Sequence, residues 1–520
     1  MIHESSIIFS LSMENVHLRA SLSPEDLSHV LAESATPSRL SPSSAQLTIM
    51  KKYDIIVIGS GAGMHLASAA YQRGMKVAVI EHGPMGGTCL NRGCIPTKIL
   101  TYVADLIVQT EHANELNITA KVESVDFKGI MDRMRDNVRG SSQAQGEGVD
   151  AAEGLDWYKE TGEFVGDYII KVGEEEITAP NIFIVAGSRP LIPDIKGLDK
   201  VDYLTNINAM DMTEKPKSMI ILGGGYLAVE FGHFFAAVGV DVTIVGRNPY
   251  LVKKEDNDVS ELLKEELSER MNIHTNIEAI EVNEKDGVKT VIAVDRETGE
   301  KHEFKAETIL VATGRRSNAD LFKPEKTGVK TDERGWVTVD EYYRTSKNGI
   351  WAFGDAIGKY QFRHVANDES ETVWYNFVKT LEDGKDAELM SLSYHAVPYA
   401  IFSYPPVATV GMTLRDAQKS GRPLLVGQLP YASTAKGMAM GDPPGFVRVI
   451  ADAETQEILG ATIIGPYAPI LIQEVINLMY SNVRSFIPMF KAMHIHPALP
   501  EVVQRAFGRL APIGGHEHKR

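Results

Sequence analysis

A short apolar run, a glycine-rich turn, a helical pattern and a second apolar run follow one another in residues 53–81. The first run, 55–58 (IIVI), precedes the turn, and the apolar spacing after the turn predicts a helix through about Arg73. The second run, 77–80 (VAVI), ends at Glu81. The glycines of the turn are Gly59, Gly61 and Gly63. This order predicts a βαβ unit that binds a dinucleotide, with its pyrophosphate at the helix N-terminus and Glu81 at a ribose hydroxyl.

The third glycine of the usual fingerprint is missing, because Met64 stands at its position. That glycine normally lets the helix pack closely against the strand. We expect the neighbouring Gly63 to take over this role.

The same pattern recurs in residues 219–247. The fingerprint positions here are Gly223, Gly225 and Ala228. The second apolar run, 242–245, ends in a glycine followed by Arg247, with no acid. A carboxylate would repel a 2′-phosphate, whereas Arg247, assisted by Lys253 or Lys254, could bind one through charge-assisted hydrogen bonds. This unit is therefore predicted to bind NAD(P)H, with NADPH favoured over NADH.

The composition is that of a globular chain of 520 residues, with 43% hydrophobic and 23% charged residues. A formal net charge of −16 disfavours nucleic acids and anionic membranes as partners. No apolar run approaches the length of about 18 residues that is needed to cross a bilayer. We expect a cytoplasmic protein with neither a nucleic-acid nor a membrane partner.

The chain has two cysteines, Cys89 and Cys94. This number excludes a disulfide-rich secreted scaffold and a four-cysteine zinc site, and no metal is predicted. In a regular helix, Cα atoms five positions apart are separated by about 8.7 Å, whereas a disulfide needs roughly 4.4–6.8 Å. A bond between the two cysteines therefore requires a distorted turn, which Gly93 and Pro96 favour. The alternative is a pair of reduced thiols in the core.

Residues 1–49 are rich in serine and contain no glycine, unlike the rest of the chain. A signal peptide is disfavoured because the apolar stretch 7–9 is too short and is preceded by an acid. We interpret the segment as a disordered extension, or as an incorrectly assigned start with Met50 as the true first residue.

The segment 86–98 (GGTCLNRGCIPTK) resembles the redox-active motif of the class I pyridine nucleotide-disulfide oxidoreductases. Further similarity lies in VAGSRP (185–190), GGGYLAVEF (223–231), VATGRRSN (311–318), WAFGDA (351–356) and HIHPALPEVV (494–503). The resemblance covers residues 52–510. It implies an α/β fold with two Rossmann-like FAD and NAD(P) dinucleotide-binding domains plus a C-terminal α+β dimerisation domain, assembled as a homodimer.

The resemblance also implies the domain boundaries. They are 50–198 for the first part of the FAD-binding domain with the redox disulfide, 199–319 for the NAD(P)-binding domain, 320–390 for the second, central part of the FAD-binding domain, 391–512 for the dimerisation domain and 513–520 for the tail.

Two sets of cofactor-binding residues follow from the resemblance. Those implied for FAD are Gly59, Gly61, Gly63, Glu81, Gly87, Thr88, Lys98, Gly187, Gly314 and Asp355. Those implied for the nicotinamide nucleotide are Gly223, Gly225, Ala228, Glu230, Arg247 and Lys253. Lys98 would lie near the flavin and pair with Glu230.

The implied reacting groups are Cys89, Cys94, His496 and Glu501. His496 and Glu501 resemble the acid–base pair that each subunit of the family supplies to the cysteines of the other. Electrons would pass from NAD(P)H through FAD to Cys94. Cys89 would attack the substrate disulfide, and His496 of the partner subunit would protonate the leaving thiol. A histidine suits this step because its pKa lies near neutrality.

The implied substrate is a small-molecule or lipoyl disulfide, as in dihydrolipoamide dehydrogenase or mycothione reductase. The second fingerprint, the missing acid and the C-terminal motif look closest to mycothione reductase. Mercuric reductase and the large thioredoxin reductases are disfavoured because the tail has no cysteine. An alternative of another class is a non-catalytic flavoprotein that acts as a redox-sensing or assembly module. The joint presence of both cysteines, His496 and Glu501 argues against it.

Overall fold

The computed structural model describes residues 50–513, so the interpretations of residues 1–49 and of the tail beyond 513 lie outside the described residues. The strands in chain order are β1 (Lys51–Lys52), β2 (Ile55–Ile58), β3 (Val77–Ile80), β4 (Leu155–Tyr158), β5 (Gly162–Gly166), β6 (Ile169–Val172), β7 (Glu175–Thr178), β8 (Asn181–Ile184), β9 (Ser188–Pro190), β10 (Ser218–Leu222), β11 (Asp241–Gly246), β12 (Asn272–Thr275), β13 (Ile277–Lys285), β14 (Val288–Asp295), β15 (Lys301–Ala306), β16 (Thr308–Val311), β17 (Arg315–Ser317), β18 (Ile350–Ala352), β19 (Pro398–Ile401), β20 (Val407–Gly411), β21 (Leu424–Pro430), β22 (Phe446–Asp452), β23 (Ile458–Ile464) and β24 (Ala511–Pro512).

The α-helices lie between these strands. They are α1 (Gly63–Gln72), α2 (Gly87–Arg92), α3 (Cys94–His112), α4 (Phe127–Asp150), α5 (Tyr226–Ala237), α6 (Asn257–Ser268), α7 (Ala319–Phe322), α8 (Arg363–Asp383), α9 (Leu414–Lys419), α10 (Ala435–Ala439), α11 (Ala468–Met479), α12 (Ile487–Lys491) and α13 (Pro500–Phe507).

The first unit is built on a parallel five-stranded sheet with the order β18-β8-β2-β3-β4. Strands β2 and β3 have the bounds that the apolar runs predicted, and every residue in them is buried. Helix α1 ends at Gln72, one residue before the predicted end. Because β18 follows the second unit in the chain and yet joins this sheet, the chain returns to the first unit after completing the second.

The second unit has a parallel sheet with the order β12-β11-β10-β16, and the antiparallel sheet β13-β14-β15 stands beside it. Strand β11 runs from Asp241 to Gly246, so the predicted strand 242–245 is one residue too short at each end. Arg247 therefore follows the strand directly. Both dinucleotide units have the strand–turn–helix–strand order that the sequence predicted.

One apolar cluster joins helices of the two units. It contains Leu100 and Val108 of α3, Met131 of α4, and Phe231 and Phe234 of α5, all of which are buried. This packing fixes the helix that begins at Cys94 against the helix of the second fingerprint.

The C-terminal unit is a six-stranded antiparallel sheet with the order β19-β20-β23-β22-β21-β24. Helices α11 and α13 pack on it through a shared apolar cluster. The predicted fold class, two Rossmann-like units and a C-terminal α+β unit, is confirmed. Among the described residues, no helix is both long enough and apolar enough to span a membrane.

Candidate active site

The turn after β2 leaves no room for a side chain at Gly59 or at Gly87, which packs against the turn. Gly59 has a φ of +107°, and a Cβ atom there would lie 2.2 Å from the carbonyl oxygen of Val185. A Cβ atom on Gly87, at the start of α2, would lie 2.8 Å from Cα of Gly61. The start of the cysteine-bearing helix therefore packs directly on the fingerprint turn, a contact that only glycines allow.

Gly63 has the role expected of the missing third glycine. A Cβ atom on it would lie 2.7 Å from Cγ1 of Val57 in β2, and Gly63 is buried. The glycine that lets the helix approach the strand has moved by one position, which confirms the prediction made from Met64.

Glu81 closes the same turn from the end of β3. Its carboxylate accepts hydrogen bonds from the backbone N–H and the hydroxyl of Ser60, at 3.1 and 2.9 Å, and from the N–H of Gly83 at 2.8 Å. An acid held in this position beside the fingerprint suits recognition of a ribose.

The two cysteines lie on either side of a break in the helix. Cys89 is in α2, Cys94 begins α3, and Gly93 between them has φ −139° and ψ −116°, outside the helical range. Cys89 is half-buried and Cys94 is exposed, and both are free thiols. The predicted distortion is thus present at Gly93, whereas no disulfide bond joins the two cysteines in this structure. Thr88 precedes Cys89 in α2 and is exposed.

The two thiols differ in acidity. The hydrogen bond from the Cys89 thiol lowers the pKa of Cys94 to about 7, and the charge of Lys98 acts in the same direction. The same hydrogen bond, together with burial, raises the pKa of Cys89, and the charge of Arg363 opposes this rise. Cys94 therefore holds the thiolate first as pH rises, and Cys89 keeps its proton.

Lys98 and Glu230 lie together as expected, with Nζ 2.6 Å from Oε2. Glu230 is 3% exposed, and its other oxygen accepts a hydrogen bond from the backbone N–H of Phe402 at 3.2 Å. Asp105 and His233 form a second link between α3 and α5, at 2.8 Å. Glu230 thus connects the first unit, the second unit and the C-terminal unit beside Cys94.

Asp355 lies in a short 3₁₀ helix after β18, and its carboxylate accepts a hydrogen bond from the Ser188 hydroxyl at 2.6 Å. Nε of Arg315 donates to the same hydroxyl at 2.7 Å and lies 3.7 Å from Asp355. Gly187 and Gly314 precede the paired strands β9 and β17, with φ of +67° and +129°. The predictions did not include Ser188 and Arg315, although both lie in motifs that carry the family resemblance.

The turn of the second fingerprint also has the geometry of a dinucleotide-binding turn. Gly223 has a φ of +131°, and a Cβ atom on it would lie 2.3 Å from the carbonyl oxygen of Ala312. Apart from the adjoining backbone, no atom of residues 50–513 lies within 4 Å of a Cβ position on Gly225, so the space before α5 is open. Ala228 is fully buried beneath this turn, and Arg247 and Lys253 are exposed.

His496 and Glu501 form the expected pair in the C-terminal unit. Nδ1 of His496 lies 3.0 and 3.1 Å from the two carboxylate oxygens of Glu501, which also accepts from Arg505 at 3.0 Å. This bond with His496 lowers the pKa of Glu501. The His496 side chain is 64% exposed. Within residues 50–513, its ring makes hydrogen bonds to Glu501 alone and none to either cysteine.

Two further residues lie beside the first fingerprint turn and the 3₁₀ helix of Asp355, outside the motifs that carry the family resemblance. Glu369 of α8 is fully buried and accepts hydrogen bonds from the N–H of Gly354, at 2.7 Å, and from the Tyr394 hydroxyl, at 2.5 Å. Arg363 lies beside the first fingerprint turn, with Nη1 3.8 Å from a Cβ position on Gly61. No pattern in the sequence points to either residue, because each reaches the site through the fold.

These residues fit FAD. On the side where a Gly61 side chain would point, the Arg363 guanidinium is the one group of residues 50–513 within 4 Å, and this space suits a pyrophosphate. Glu81 and Asp355 lie at the carboxyl ends of β3 and β18, the edge at which such sheets bind dinucleotides. No group of three or more His, Cys, Asp or Glu side chains suited to a metal ion occurs between residues 50 and 513.

Comparison with known proteins matches the chain to one family. The family model of pyridine nucleotide-disulphide oxidoreductases matches residues 53–370, and the model of their dimerisation domain matches residues 397–507. Mycothione reductase of Mycobacterium tuberculosis (strain H37Rv) is 35% identical over 464 residues, which are 88% of this chain and 99% of that protein. Dihydrolipoyl dehydrogenase of Chlamydia muridarum is 32% identical over 459 residues, with 86% and 95% covered.

A solved structure agrees with this match. The Cu(II) complex of the HOCl-induced flavoprotein disulfide reductase RclA from Escherichia coli has a TM-score of 0.77 at 28% identity, covering 88% of this chain and 99% of that one. The fold, the two fingerprints and the matches along nearly the whole described chain agree. The chain therefore belongs to the pyridine nucleotide-disulphide oxidoreductase family, whose members are disulfide oxidoreductases that use FAD and a pyridine nucleotide, and its dimerisation domain supports a homodimer.

Proposed function

We propose that this chain is an FAD-dependent, NADPH-using enzyme that reduces a small-molecule or lipoyl disulfide through Cys89 and Cys94. The observation that carries the proposal is the break at Gly93. It puts two hydrogen-bonded thiols beside the fingerprint turn, and the pKa of Cys94 is lowered while that of Cys89 is raised. Two core thiols with only a structural role would need neither the break nor the acidic member.

The two cysteines have separate tasks. FAD, when bound, supplies two-electron transfer between the nicotinamide and the disulfide. Cys94 begins α3 near Lys98, where the helix N-terminus and the ammonium group stabilise a thiolate. Cys89 passes its proton to His496 of the partner subunit and attacks the substrate disulfide as a thiolate. A mixed disulfide forms, and one substrate thiolate leaves. Cys94 then displaces the second thiol and restores the Cys89–Cys94 bond.

His496 of the partner subunit supplies the proton for the first leaving thiol. The carboxylate of Glu501 accepts from Nδ1, which leaves Nε2 of the ring to hold or donate a proton. Because the bond with His496 lowers the pKa of Glu501, this carboxylate stays ionised and fixes the ring throughout the neutral range.

The segment around His496 supports the homodimer. Met493 is fully exposed, Ile495 is 79% exposed and Phe490 is 52% exposed. Exposed apolar side chains clustered in one segment mark an interaction surface. A second copy that covers this segment would carry its own His496 to the cysteines of the first, and a site incomplete in one chain would become complete in two.

The exposed cations after β11 support NADPH as the electron donor. Arg247 follows the strand directly, and Lys253 and Lys254 are exposed nearby. The end of β11 lacks the acid that would accept from a ribose hydroxyl and repel a phosphate. This distribution of charge favours a 2′-phosphate.

Two substrate classes are candidates: a small-thiol disulfide and a lipoyl group. The similarity to mycothione reductase and the basic residues after β11 favour a small-thiol disulfide. We also propose that the enzyme works in the cytoplasm, since a lone redox-active cysteine pair fits a reducing compartment.

Anaerobic titration tests the proposed relay. The purified holoenzyme should take up more than two electrons per flavin and develop long-wavelength thiolate–flavin absorbance. Cys94→Ser should abolish this absorbance, whereas Cys89→Ser should retain it. Uptake that stops at two electrons would contradict a disulfide relay, and the opposite pattern in the two variants would reverse the roles of the cysteines.

Steady-state kinetics test the substrate and the nucleotide. Mycothiol disulfide, glutathione disulfide and lipoamide are compared, each with NADPH and with NADH. We expect a higher kcat/KM for NADPH and for a small-thiol disulfide. If NADH is preferred tenfold or more, the proposed nucleotide is wrong, and if lipoamide alone is reduced, the enzyme is of the dihydrolipoamide dehydrogenase type.

A further inference from the structure

The residues between β11 and α6, numbers 247–256, form what we call the basic segment. Its cationic side chains, those of Arg247, Lys253 and Lys254, are exposed. The backbone that carries them is anchored, because Leu251, Val252, Glu255 and Asp256 are buried. Exposed cations on an anchored backbone differ from an ordinary surface loop, in which side chain and backbone move together.

One end of the anchor is the second fingerprint. The N–H of Val252 donates to the carbonyl of Gly224 at 2.7 Å. The hydroxyl of Ser260 donates to the carbonyl of Leu251 at 2.8 Å. These bonds tie the basic segment to the turn at which the pyrophosphate of a dinucleotide would lie.

The other end of the anchor is the C-terminal unit. Nη2 of Arg415 donates to the carbonyls of Lys253 and Lys254, at 3.1 Å each. The carboxylate of Asp256 accepts from the N–H groups of Leu414 and Arg415, at 2.9 and 3.0 Å. Arg415 and Asp256 thus form a clamp, in which the C-terminal unit supplies the donors and the second unit supplies the acceptors.

Two more contacts reinforce the clamp from the C-terminal sheet. Nη1 of Arg448 lies 3.1 Å from Asp256, and the two side chains are 5% and 8% exposed. The hydroxyl of Thr409 in β20 donates to Glu255 at 2.9 Å. Arg415 differs from these two residues in that it alone holds the carbonyls of the two exposed lysines.

We propose that Arg415 is a positioning residue for nucleotide specificity: it fixes the backbone of Lys253 and Lys254, and thereby presents their ammonium groups to the 2′-phosphate of NADPH. The inference rests on the proposed preference for NADPH. A preorganised site loses less conformational entropy on binding than a mobile loop does. NADH, which has no 2′-phosphate, gains nothing from this arrangement.

The test is Arg415→Met, which keeps the aliphatic stem and removes the N–H donors. We expect KM for NADPH to rise by about tenfold, with KM for NADH and kcat changed less than twofold. The Kd for 2′,5′-ADP, measured by calorimetry on the holoenzyme, should rise in parallel, whereas the Kd for 5′-ADP should not. Arg422→Met, the same change at an ion pair with Asp452 and Glu457 in the same unit, should alter neither.

The outcomes separate this inference from the proposed nucleotide. If Arg247→Met weakens NADPH binding and Arg415→Met does not, the preference for NADPH stands and the positioning role is wrong. If Arg415→Met weakens NADPH and NADH equally, or releases FAD, Arg415 has a general structural role and the inference is also wrong. If the unaltered enzyme prefers NADH, the proposed nucleotide fails first.

Discussion

The acidity of Cys94 depends on neighbours from two units. The hydrogen bond from Cys89 and the charge of Lys98 favour its thiolate, while the charge of Glu230 disfavours it. Lys98 lies between the two anionic groups, one helical turn after Cys94 and 2.6 Å from Glu230. The lysine therefore compensates the carboxylate that would otherwise suppress the thiolate.

Replacing Lys98 by methionine should raise the pKa of Cys94, because the cation is lost and the charge of Glu230 is left uncompensated. We expect alkylation of Cys94 in the reduced enzyme to be about threefold to tenfold slower at pH 7. The rate is followed by mass spectrometry across the pH range. Lys121→Met, at an exposed ion pair, is the control, and equal rates in both variants would contradict the role of Lys98.

His496→Gln should separate the two halves of the proposed cycle. Turnover of the disulfide substrate should fall by about 10²-fold because the leaving thiol loses its proton donor. Reduction of the bound flavin by NADPH, measured by stopped flow, should keep its rate, because that step does not use His496. Glu501→Gln should lower turnover less. His302→Gln, in strand β15, serves as control, and a matching loss in both half-reactions would contradict the assignment.

At the scale of an element, Gly93 sets the relation between α2 and α3. A Cβ atom on it would lie 3.0 Å from the carbonyl oxygen of Thr88 and 3.4 Å from Cα of Cys89. Since Cys89 is among these neighbours, any shift that relieves the contact alters the separation of the two cysteines.

Gly93→Ala should therefore weaken disulfide formation between Cys89 and Cys94. In glutathione redox buffers, we expect the equilibrium constant for closing the bond to fall by about tenfold. Gly140→Ala is a matched control, because a Cβ atom at Gly140 of α4 would have no neighbour within 4 Å in the part of the chain that the structure describes. An unchanged equilibrium in Gly93→Ala would show that the helix break does not set the sulfur geometry.

Much of the scaffold followed from the sequence because the signals are local. The apolar runs gave the bounds of β2 and β3, Met64 indicated the role of Gly63, and the five-residue spacing of the cysteines required a distortion that lies at Gly93. Each of these inferences needed only residues close together in the chain.

The residues that hold the site in place from distant parts of the chain could not be inferred in this way. Glu369 meets Gly354 because α8 folds back onto the turn after β18, and Arg363 reaches Gly61 across about three hundred residues of chain. Arg415 meets Lys253 only because two units pack together. A charged residue on an amphipathic helix resembles a solvated surface residue until its partner is known.

On the scale of the whole molecule, the junction between the second unit and the C-terminal unit contains a buried acid. Glu255 is 1% exposed, and burial raises its pKa to about 7. Oε2 accepts from the Thr409 hydroxyl, whereas Oε1 has no hydrogen-bond partner among residues 50–513. An ionised carboxylate at this junction would be poorly compensated.

The stability of the protein should therefore fall as Glu255 ionises. In the unfolded chain its pKa is the usual 4.5, so raising the pH from about 5 to 8 ionises the unfolded state first and favours unfolding. Glu255→Gln removes this penalty, and its stability relative to the unaltered protein should rise across that window by on the order of 2 kcal/mol.

Urea unfolding of the holoenzyme at several pH values measures this difference. Glu261→Gln, at an exposed position of α6, should run parallel to the unaltered protein. If the Glu255→Gln difference is flat from pH 5 to 8, Glu255 does not change its charge state in that window.

The clamp at Arg415 limits how this enzyme can be recombined with its relatives. A chimaera that exchanges only the second unit would transfer Arg247, Lys253 and Lys254 without Arg415, because the recipient would keep its own C-terminal unit. Coenzyme preference would then not travel with the exchanged part. A successful exchange has to include the start of α9. The smallest segment that transfers coenzyme preference is therefore larger than the unit that binds the coenzyme.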